Sequence, residues 1–167
     1  MASQTLILNK AQLIQKIKRI AFEIYERNFK DQVIVLAGIA ENGYKFAQLL
    51  QKEIEDISPI KIQLVKITLD KLATTQTNIE LDQDTSIFKD KTVILTDDVL
   101  NTGRVLAYSL KPFLSIETHK LQTAVIIDRS HQLFPIVADY VGYSLATTIK
   151  EHIEVSLEGE NSGVYLH

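Results

Sequence analysis

Two adjacent carboxylates and the polar turn after them are the residues of this chain best suited to chemistry. Asp97 and Asp98 follow the apolar run at residues 93–95, and residues 101–103 are Asn, Thr and Gly. The glycine lets the backbone approach a ligand, the threonine hydroxyl can donate to a phosphate oxygen, and N–H groups at a helix start attract anions. Carboxylates suit sugar hydroxyls, or a hard cation beside a polyphosphate. The pattern therefore predicts a sugar-phosphate site, with the phosphate at the turn and the hydroxyls at the acids.

The elements on either side of the acids are predicted from their apolar spacing. Residues 93–95 are expected to form a buried parallel strand that ends before the acids, because β-branched residues and leucine fill both faces of a covered sheet. Residues 105–114 have the spacing of a helix. The alternative is an ordinary strand–turn–helix in which the acids serve only as capping residues.

Strands and helices alternate along the rest of the chain. Helices are predicted at residues 9–28, with Asn9 as N-cap, and 44–54, strands at 33–37, 61–69 and 121–127, and a hairpin at 153–157 and 164–166. This order predicts an α/β fold with a Rossmann-like, doubly wound, mainly parallel sheet and flanking helices. The ligands of such a sheet gather at the carboxyl ends of its strands.

Length, composition and charge limit the classes of function. The 167 residues suffice for a single domain, and no apolar run approaches the ~20 residues that span a bilayer. The lack of cysteine excludes disulfides, thiol catalysis and cysteine–zinc sites. The N-terminus does not have the pattern of a secretory signal, so we expect a cytoplasmic protein without a membrane partner. The net charge of −3 disfavours a generally cationic nucleic-acid binder.

Residues 93–104, VILTDDVLNTGR, resemble the signature of the type I phosphoribosyltransferases. In that family the two acids hold the ribose hydroxyls of phosphoribosyl pyrophosphate, and the turn holds its 5′-phosphate. The resemblance implies Mg²⁺ as a cofactor, held through water by Asp97 and Asp98, and catalytic roles for these acids and for Asn101. It implies that the 5′-phosphate is bound by Val99, Leu100, Asn101, Thr102, Gly103 and Arg104.

The resemblance implies two further substrate-binding segments. The pyrophosphate loop corresponds to Ala40, Glu41, Asn42 and Gly43. Relatives commonly carry a basic residue before the glycine, and a carboxylate near pyrophosphate is repulsive. Either backbone N–H groups alone make this contact, or turnover is poor. The polar residues 70–90 correspond to a flexible flap, in which Lys71 is the nearest cation for the pyrophosphoryl group.

The base pocket is implied by a narrower resemblance. Residues 126–131 and 138–142 resemble the bifunctional pyrimidine operon attenuator/uracil phosphoribosyltransferase group. By that resemblance a small hood region lies at about residues 128–148 together with the C-terminal strands. The implied base-pocket residues are Asp128, Arg129, His131 and Val141. His131 could stack on a base or contact RNA, although a lone loop histidine is more often incidental.

Three functions stay open at this point. The first is transfer of ribose-5-phosphate from phosphoribosyl pyrophosphate to a nucleobase, uracil by resemblance, which forms a nucleoside monophosphate and releases pyrophosphate. The second is a nucleotide-sensing regulator of the pyrimidine-operon type, with weak or no transfer and with RNA as a partner that the acidic balance disfavours. The third is a receiver domain whose acids accept a phosphoryl group, which the Thr–Gly turn argues against. The resemblance also implies a homo-oligomer, a dimer or larger.

The basic side of the helix at residues 9–28 admits two interpretations. It is either a solvated surface, the usual role of such a face, or an edge that binds RNA or a protein partner. The side chains concerned are Lys10, Lys16, Lys18, Arg19 and Arg27.

Overall fold

Nine strands and four α-helices make up the fold of the computed structural model, which describes residues 3–75 and 78–167. In chain order they are β1 (Thr5–Leu8), α1 (Lys10–Arg27), β2 (Val33–Ile39), α2 (Asn42–Ile57), β3 (Lys61–Thr68), β4 (Glu80–Leu81), β5 (Thr92–Leu100), α3 (Arg104–Ser109), α4 (Lys111–Leu114), β6 (Lys120–Asp128), β7 (Tyr140–Ser144), β8 (Ile153–Ser156) and β9 (Gly163–Leu166). A short 3₁₀ helix, Thr85–Phe88, precedes β5.

A six-stranded sheet in the order β4-β3-β2-β5-β6-β7 forms the centre of the fold. All its strand pairs are parallel except β3 with β4. From β2 the chain crosses by α2 to β3 on one side, and it then returns to β5 on the other side of β2. Strand order therefore reverses between β2 and β5, and ligands of open α/β sheets bind outside the carboxyl ends of the strands at such a point.

Alternate side chains of the central strands point to opposite faces, and each face has its own core. On one face, β-strand residues such as Ile34, Leu36 and Ile94 pack against α1 and α2. On the other face, Val35, Val93 and neighbouring residues pack with side chains of α3, α4 and the 3₁₀ helix. The prediction of a doubly wound, mainly parallel α/β sheet is thus confirmed.

The two long helices follow the predicted apolar spacing closely. Asn9 caps α1, since its side chain accepts from the amide of Gln12 while the Gln12 side chain accepts from the amide of Asn9. The buried residues of α1 are Leu13, Ile17, Ile20, Ala21 and Ile24, and the buried side chains of α2 include Phe46, Ala47, Leu50 and Ile54. Both amphipathic faces are therefore confirmed.

A second, antiparallel sheet has the order β1-β9-β8. The C-terminal hairpin of β8 and β9 was predicted, whereas β1 was not. The pattern of β1 is short and only Leu8 is buried, so it lacks the period-2 burial that would indicate a strand. This sheet touches the main sheet through contacts of β8 with β5, and β9 contacts helix α1.

Residues 70–90, which the resemblance assigns to a flap, contain β4, which pairs with β3, and a 3₁₀ helix. Two other predictions of local structure are wrong. The helix predicted at residues 105–114 is split into α3 and α4, as expected where Pro112 lacks an N–H and its ring clashes with the preceding turn. The strand predicted at residues 93–95 continues to Leu100, because its backbone stays paired with β6 as far as Asp128.

Among the residues that the structure describes, no helix combines the length and the apolar character needed to cross a membrane.

Candidate active site

The two acids lie near the end of strand β5, within the strand rather than after it. Asp97 is buried at 4% relative exposure, and Asp98 is half-buried. Each carboxylate accepts a hydrogen bond from the next backbone amide: Asp98 N donates to Asp97 Oδ1 at 2.9 Å, and Val99 N donates to Asp98 Oδ1 at 2.8 Å. These bonds fix both side chains at the carboxyl end of the sheet, beside the reversal of strand order.

The environment of Asp97 favours its neutral form. Burial, assisted by the charge of the neighbouring Asp98, raises the pKa of Asp97 to about 8, although the ammonium of Lys71 acts in the opposite direction. Lys71 Nζ lies 3.4 Å from Asp97 Oδ1. A carboxyl group with a pKa near neutrality in a cleft is typical of a functional site.

The turn after β5 forms the other wall of the same pocket. Gly103 adopts a φ of 87°, in the left-handed region that favours glycine, and a Cβ there would lie 3.4 Å from the Cβ of Ile136. The amide of Arg104 donates to the hydroxyl oxygen of Thr102 at 3.3 Å. Within residues 3–75 and 78–167 the backbone N–H groups of Thr102 and Gly103 make no hydrogen bond, which leaves two donors for an anion.

One pocket of about 180 Å³ joins the acids to the turn. Its lining comprises Lys71, Asp97, Asp98, Val99, Leu100, Asn101, Thr102, Gly103, Arg104, Val105 and Leu106. All the residues predicted for the ribose and the 5′-phosphate are therefore brought together, and Lys71 joins them. Helix α3 has only six residues, so anion binding here depends on the amides of the turn more than on a helix dipole.

The predicted pyrophosphate loop lies at the carboxyl end of β2, across from the acids. Asn42 and Gly43 belong to the first turn of α2 rather than to a loop before it. The side-chain amide of Asn42 donates to Asp98 Oδ2 and to the carbonyl of Val155, at 3.0 Å each. Gly43 lies against β5, where a Cβ would come within 2.4 Å of Thr96 O.

The carboxylate of Glu41 lies at the surface, beside Lys66. Its side chain is 72% exposed, and its Oε1 lies 3.9 Å from Nζ of Lys66. The preceding residue, Ala40, donates its backbone N–H to Ile67 O at 2.9 Å and so stays attached to β3. The repulsion expected between Glu41 and a pyrophosphate is reduced by this ion pair with Lys66.

Two of the predicted base-pocket residues hold the segment that follows β7. Arg129 donates to Thr147 Oγ1 and to the carbonyls of Thr148 and Glu151, and its Nη1 lies 3.3 Å from Asn101 Oδ1. His131 Nε2 lies 2.7 Å from the carbonyl of Thr147. Residues 145–151 are thereby tied to the turn of the pocket.

The other two base-pocket candidates have different surroundings. The carboxylate of Asp128 accepts from the amide of Ser130 at 2.9 Å, at the end of β6. Val141 pairs with Val125 in the sheet and packs against the core of the α3 face. None of the four base-pocket candidates, Arg129 and His131 included, lines the pocket that contains the acids.

The basic side of α1 is partly engaged inside the molecule. Arg19 donates to the carbonyls of Val141 and Gly142, and Arg27 donates to the carbonyl of Asp139. Both arginines therefore satisfy backbone acceptors at the edge strand β7. These contacts favour a structural role for this part of the helix.

A sequence comparison decides the family. A family model described as a phosphoribosyl transferase domain matches residues 3–159. The chain belongs to the phosphoribosyltransferase family. The pocket at the end of β5 coincides with the stretch on which the resemblance to these enzymes depended, so the family assignment made from the sequence is confirmed.

Relatives that carry the name bifunctional protein PyrR are similar to this chain over nearly its whole length. The chain is 41% identical to that of Clostridium botulinum (strain Alaska E43 / Type E3) over 169 residues, covering 95% of this chain and 93% of the relative. It is 28% identical to that of Haemophilus influenzae over 168 residues, covering 95% and 94%.

Solved phosphoribosyltransferases share the fold. A hypoxanthine-guanine phosphoribosyltransferase from Bacillus anthracis superposes with a TM-score of 0.74 at 22% identity, covering 89% of this chain and 84% of that one. The hypoxanthine phosphoribosyltransferase of Trypanosoma cruzi gives 0.73 at 17% identity, covering 85% and 82%. At these identities the likeness is one of fold.

Sequence reasoning missed the residues that connect the pocket to its surroundings. Phe134 lies beside the turn, since its backbone N–H donates to Thr102 O at 3.1 Å and its ring lies 5.6 Å from Arg104 Cζ. Tyr108 contacts the ring of Phe134 edge-on at 5.7 Å. Their only sequence signal is an aromatic residue in a polar loop and another in a short helix, which does not indicate that the two meet.

Proposed function

We propose that this protein transfers the 5-phosphoribosyl group of phosphoribosyl pyrophosphate to a pyrimidine base, uracil, and releases pyrophosphate. The observation that carries the proposal is the single pocket that the acid pair shares with the turn at residues 101–104. A ribose phosphate carries hydroxyls at one end and a dianion at the other. Paired carboxylates and free backbone amides on opposite walls match these two ends.

The residues would act by orientation and charge rather than by covalent catalysis. Asp97 and Asp98 accept from the ribose hydroxyls, and the amides and hydroxyl of the turn donate to the 5′-phosphate. The bond from C1 to the pyrophosphate oxygen breaks, and its electron pair leaves with pyrophosphate. A bond from C1 to the base nitrogen forms, and that nitrogen gives its proton to the departing pyrophosphate or to water. Asn101 cannot take this proton as a carboxylate could, which suits uracil because its N1 proton is comparatively acidic.

The donor set fits a magnesium ion that the substrate brings with it. No cluster of three or more carboxylate or histidine side chains occurs within residues 3–75 and 78–167, so there is no cage for a permanently bound ion. Mg²⁺ is commonly held by one or two carboxylates together with waters and phosphate oxygens. Asp97 and Asp98 would hold it in that way, and it would neutralise the charge of the departing pyrophosphate.

A nucleotide-sensing regulator is the second candidate, and one feature favours it. The loop at the end of β2 carries Glu41 in place of the basic residue common in the family, and Lys66 pairs with Glu41. This arrangement favours binding over efficient transfer of the phosphoribosyl group. The expectation of an RNA partner comes from the resemblance to pyrimidine operon attenuators, and Arg19 and Arg27 are already engaged by β7.

Product formation from labelled bases tests the proposal. Purified protein with phosphoribosyl pyrophosphate and Mg²⁺ should convert uracil to its monophosphate at about 1–10³ s⁻¹, faster than it converts hypoxanthine. Asp98→Asn should abolish turnover, and Asp56→Asn, the same charge change on an exposed position of α2, should not. Calorimetric binding of phosphoribosyl pyrophosphate without any turnover would favour the regulator, and the absence of both would refute the site.

A further inference from the structure

We infer that Tyr108 is a positioning residue that holds residues 70–75 beside the acid pair and thereby places Lys71 for the pyrophosphoryl group. The inference rests on the proposed function for the identity of the ligand. Its structural part concerns only which residue holds Lys71 in place.

The hydroxyl of Tyr108 makes a direct contact with the segment that carries Lys71. It donates to the backbone carbonyl of Thr74 at 2.8 Å. The main chain between Lys71 and Thr74 is part of a turn. Leu72 N donates to Asp70 Oδ1 at 3.0 Å, and Ala73 N donates to Asp70 O at 3.3 Å. A restraint on Thr74 is therefore passed to Lys71, three residues earlier.

The ring of Tyr108 is anchored at the pocket. It lies edge-on to Phe134, with ring centroids 5.7 Å apart and an interplanar angle of 72°. Phe134 is attached to the phosphate turn by its amide, which donates to Thr102 O at 3.1 Å, and the guanidinium of Arg104 lies 5.6 Å from its ring. Contacts thus run without a gap from the phosphate turn through two aromatic rings to residues 70–75.

Lys71 needs such a restraint more than an arginine would. Lysine offers a point charge on a flexible stem, whereas arginine presents a preorganised fork to phosphate. Ordering a free lysine costs side-chain entropy on binding, and a segment already held in place reduces this cost. The ammonium of Lys71 already lies 3.4 Å from Asp97, at the wall of the pocket.

Tyr108→Phe removes only the hydroxyl and keeps the ring on Phe134. Tyr165→Phe is its matched control, since that hydroxyl also donates to a backbone carbonyl, Asn161 O at 2.7 Å, but in the β8–β9 hairpin. With the wild type active, Tyr108→Phe should raise KM for phosphoribosyl pyrophosphate about three- to tenfold and leave kcat nearly unchanged, as loss of one neutral hydrogen bond predicts. Tyr165→Phe should change neither constant.

A double-mutant cycle tests whether Tyr108 acts through Lys71. Lys71→Met should raise KM by itself, and Tyr108→Phe should add nothing in the Lys71→Met background. An equal effect of Tyr108→Phe in both backgrounds would overturn the inference, because a residue that stabilises the pocket in general would affect both alike.

Acylation of lysines in the ligand-free protein gives a readout that needs no turnover. With acetic anhydride and mass spectrometry, Lys71 should react roughly twofold faster or more in Tyr108→Phe, relative to the exposed Lys52, and at the wild-type rate in Tyr165→Phe. If no base is converted by the wild type, the proposed function fails while this measurement still decides the role of Tyr108. Unchanged labelling of Lys71 in Tyr108→Phe would overturn that role.

Discussion

The side-chain amide of Asn42 donates to Oδ2 of Asp98 across 3.0 Å and, from the same nitrogen, to the carbonyl of Val155. This residue therefore ties the first turn of α2 to the second acid and to strand β8. A neutral donor at this position keeps one oxygen of Asp98 oriented while adding no charge to the acid pair. The C-terminal sheet and the acids are coupled through it.

Replacing this donor by an acceptor should impair substrate binding. Asn42→Asp places a carboxylate against Asp98 and against a backbone carbonyl, which exchanges a hydrogen bond for repulsion. We expect the affinity for phosphoribosyl pyrophosphate with Mg²⁺ to fall about tenfold or more, measured by calorimetry. Asn161→Asp makes the same charge change in the exposed β8–β9 loop and should leave affinity unaltered. Equal affinities for the two variants would contradict the coupling.

Substitutions at two glycines test separately how close packing and backbone conformation contribute to stability. Gly43→Ala brings a Cβ to 2.4 Å from Thr96 O and 3.0 Å from Asp97 Cα, so α2 must move away from β5. The free energy of unfolding, from denaturant titration, should fall by about 2–3 kcal/mol. Substrate affinity should fall as well, since the acids lie at the point of contact.

Gly159→Ala is the control for this substitution. Its φ is +81° and nothing lies within 4 Å of an added Cβ, so only the left-handed conformation is penalised. It should lower the free energy of unfolding by about 1 kcal/mol and leave affinity unchanged. If Gly43→Ala cost no more than Gly159→Ala, the close approach of α2 to β5 would not be what requires glycine.

Most of the fold could be predicted from the sequence, because the patterns that indicate its helices and strands are local. The apolar spacing of α1, its cap at Asn9 and the β-branched run of β5 each depend on residues close in sequence. Strand β1 was missed because it forms only by pairing with β9 at the other end of the chain. Local patterns carry no information about such a partner.

The candidate site, like the fold, could be predicted only where its residues lie close together in the sequence. The acids and the turn lie within eight positions of one another, so their cooperation in one pocket could be predicted. The contact of Asn42 with Asp98 spans 56 positions and that of Tyr108 with Thr74 spans 34. Both depend on how α2 and residues 70–75 are placed on the sheet, which no short spacing indicates.

The acid pair should be required for substrate binding as a unit. Asp97→Asn with Asp98→Asn keeps the shape of both side chains, but neither side chain can then ionise when the substrate binds, and half of their acceptor capacity is lost. We expect this double variant to show no calorimetric binding of phosphoribosyl pyrophosphate with Mg²⁺. Far-ultraviolet circular dichroism should match the wild type, as the α2–β5 packing is untouched. Unchanged affinity would refute the assignment of the site.

The raised pKa of Asp97 predicts a pH dependence of stability with a definite sign. Burial and Asp98 raise the pKa of Asp97 from 3.8 to about 8, so between these values the folded state binds a proton that the unfolded state has released. The free energy of unfolding of the ligand-free protein should therefore fall as pH rises from about 4 to 8, and level off above. Relative to Asp97→Asn, the slope should approach about 1.4 kcal/mol per pH unit. Urea titrations of both proteins at several pH values measure it.

Asp84 is the control for this prediction, because its pKa is shifted in the opposite direction to that of Asp97. A hydrogen bond from the backbone of Ser86 lowers the pKa of Asp84 below 3.8, so its stabilising contribution is complete above that value and is lost only as pH falls through the lower, folded-state pKa. Between pH 5 and 8 the difference between the wild type and Asp84→Asn should therefore stay constant, while the difference from Asp97→Asn changes. Parallel stability curves for all three proteins would show that Asp97 is already ionised at neutral pH.

Binding of phosphoribosyl pyrophosphate should also change the protonation of Asp97. Because ribose hydroxyls and Mg²⁺ favour the ionised carboxylate, binding should release a proton near pH 7, measurable as a buffer-dependent calorimetric enthalpy.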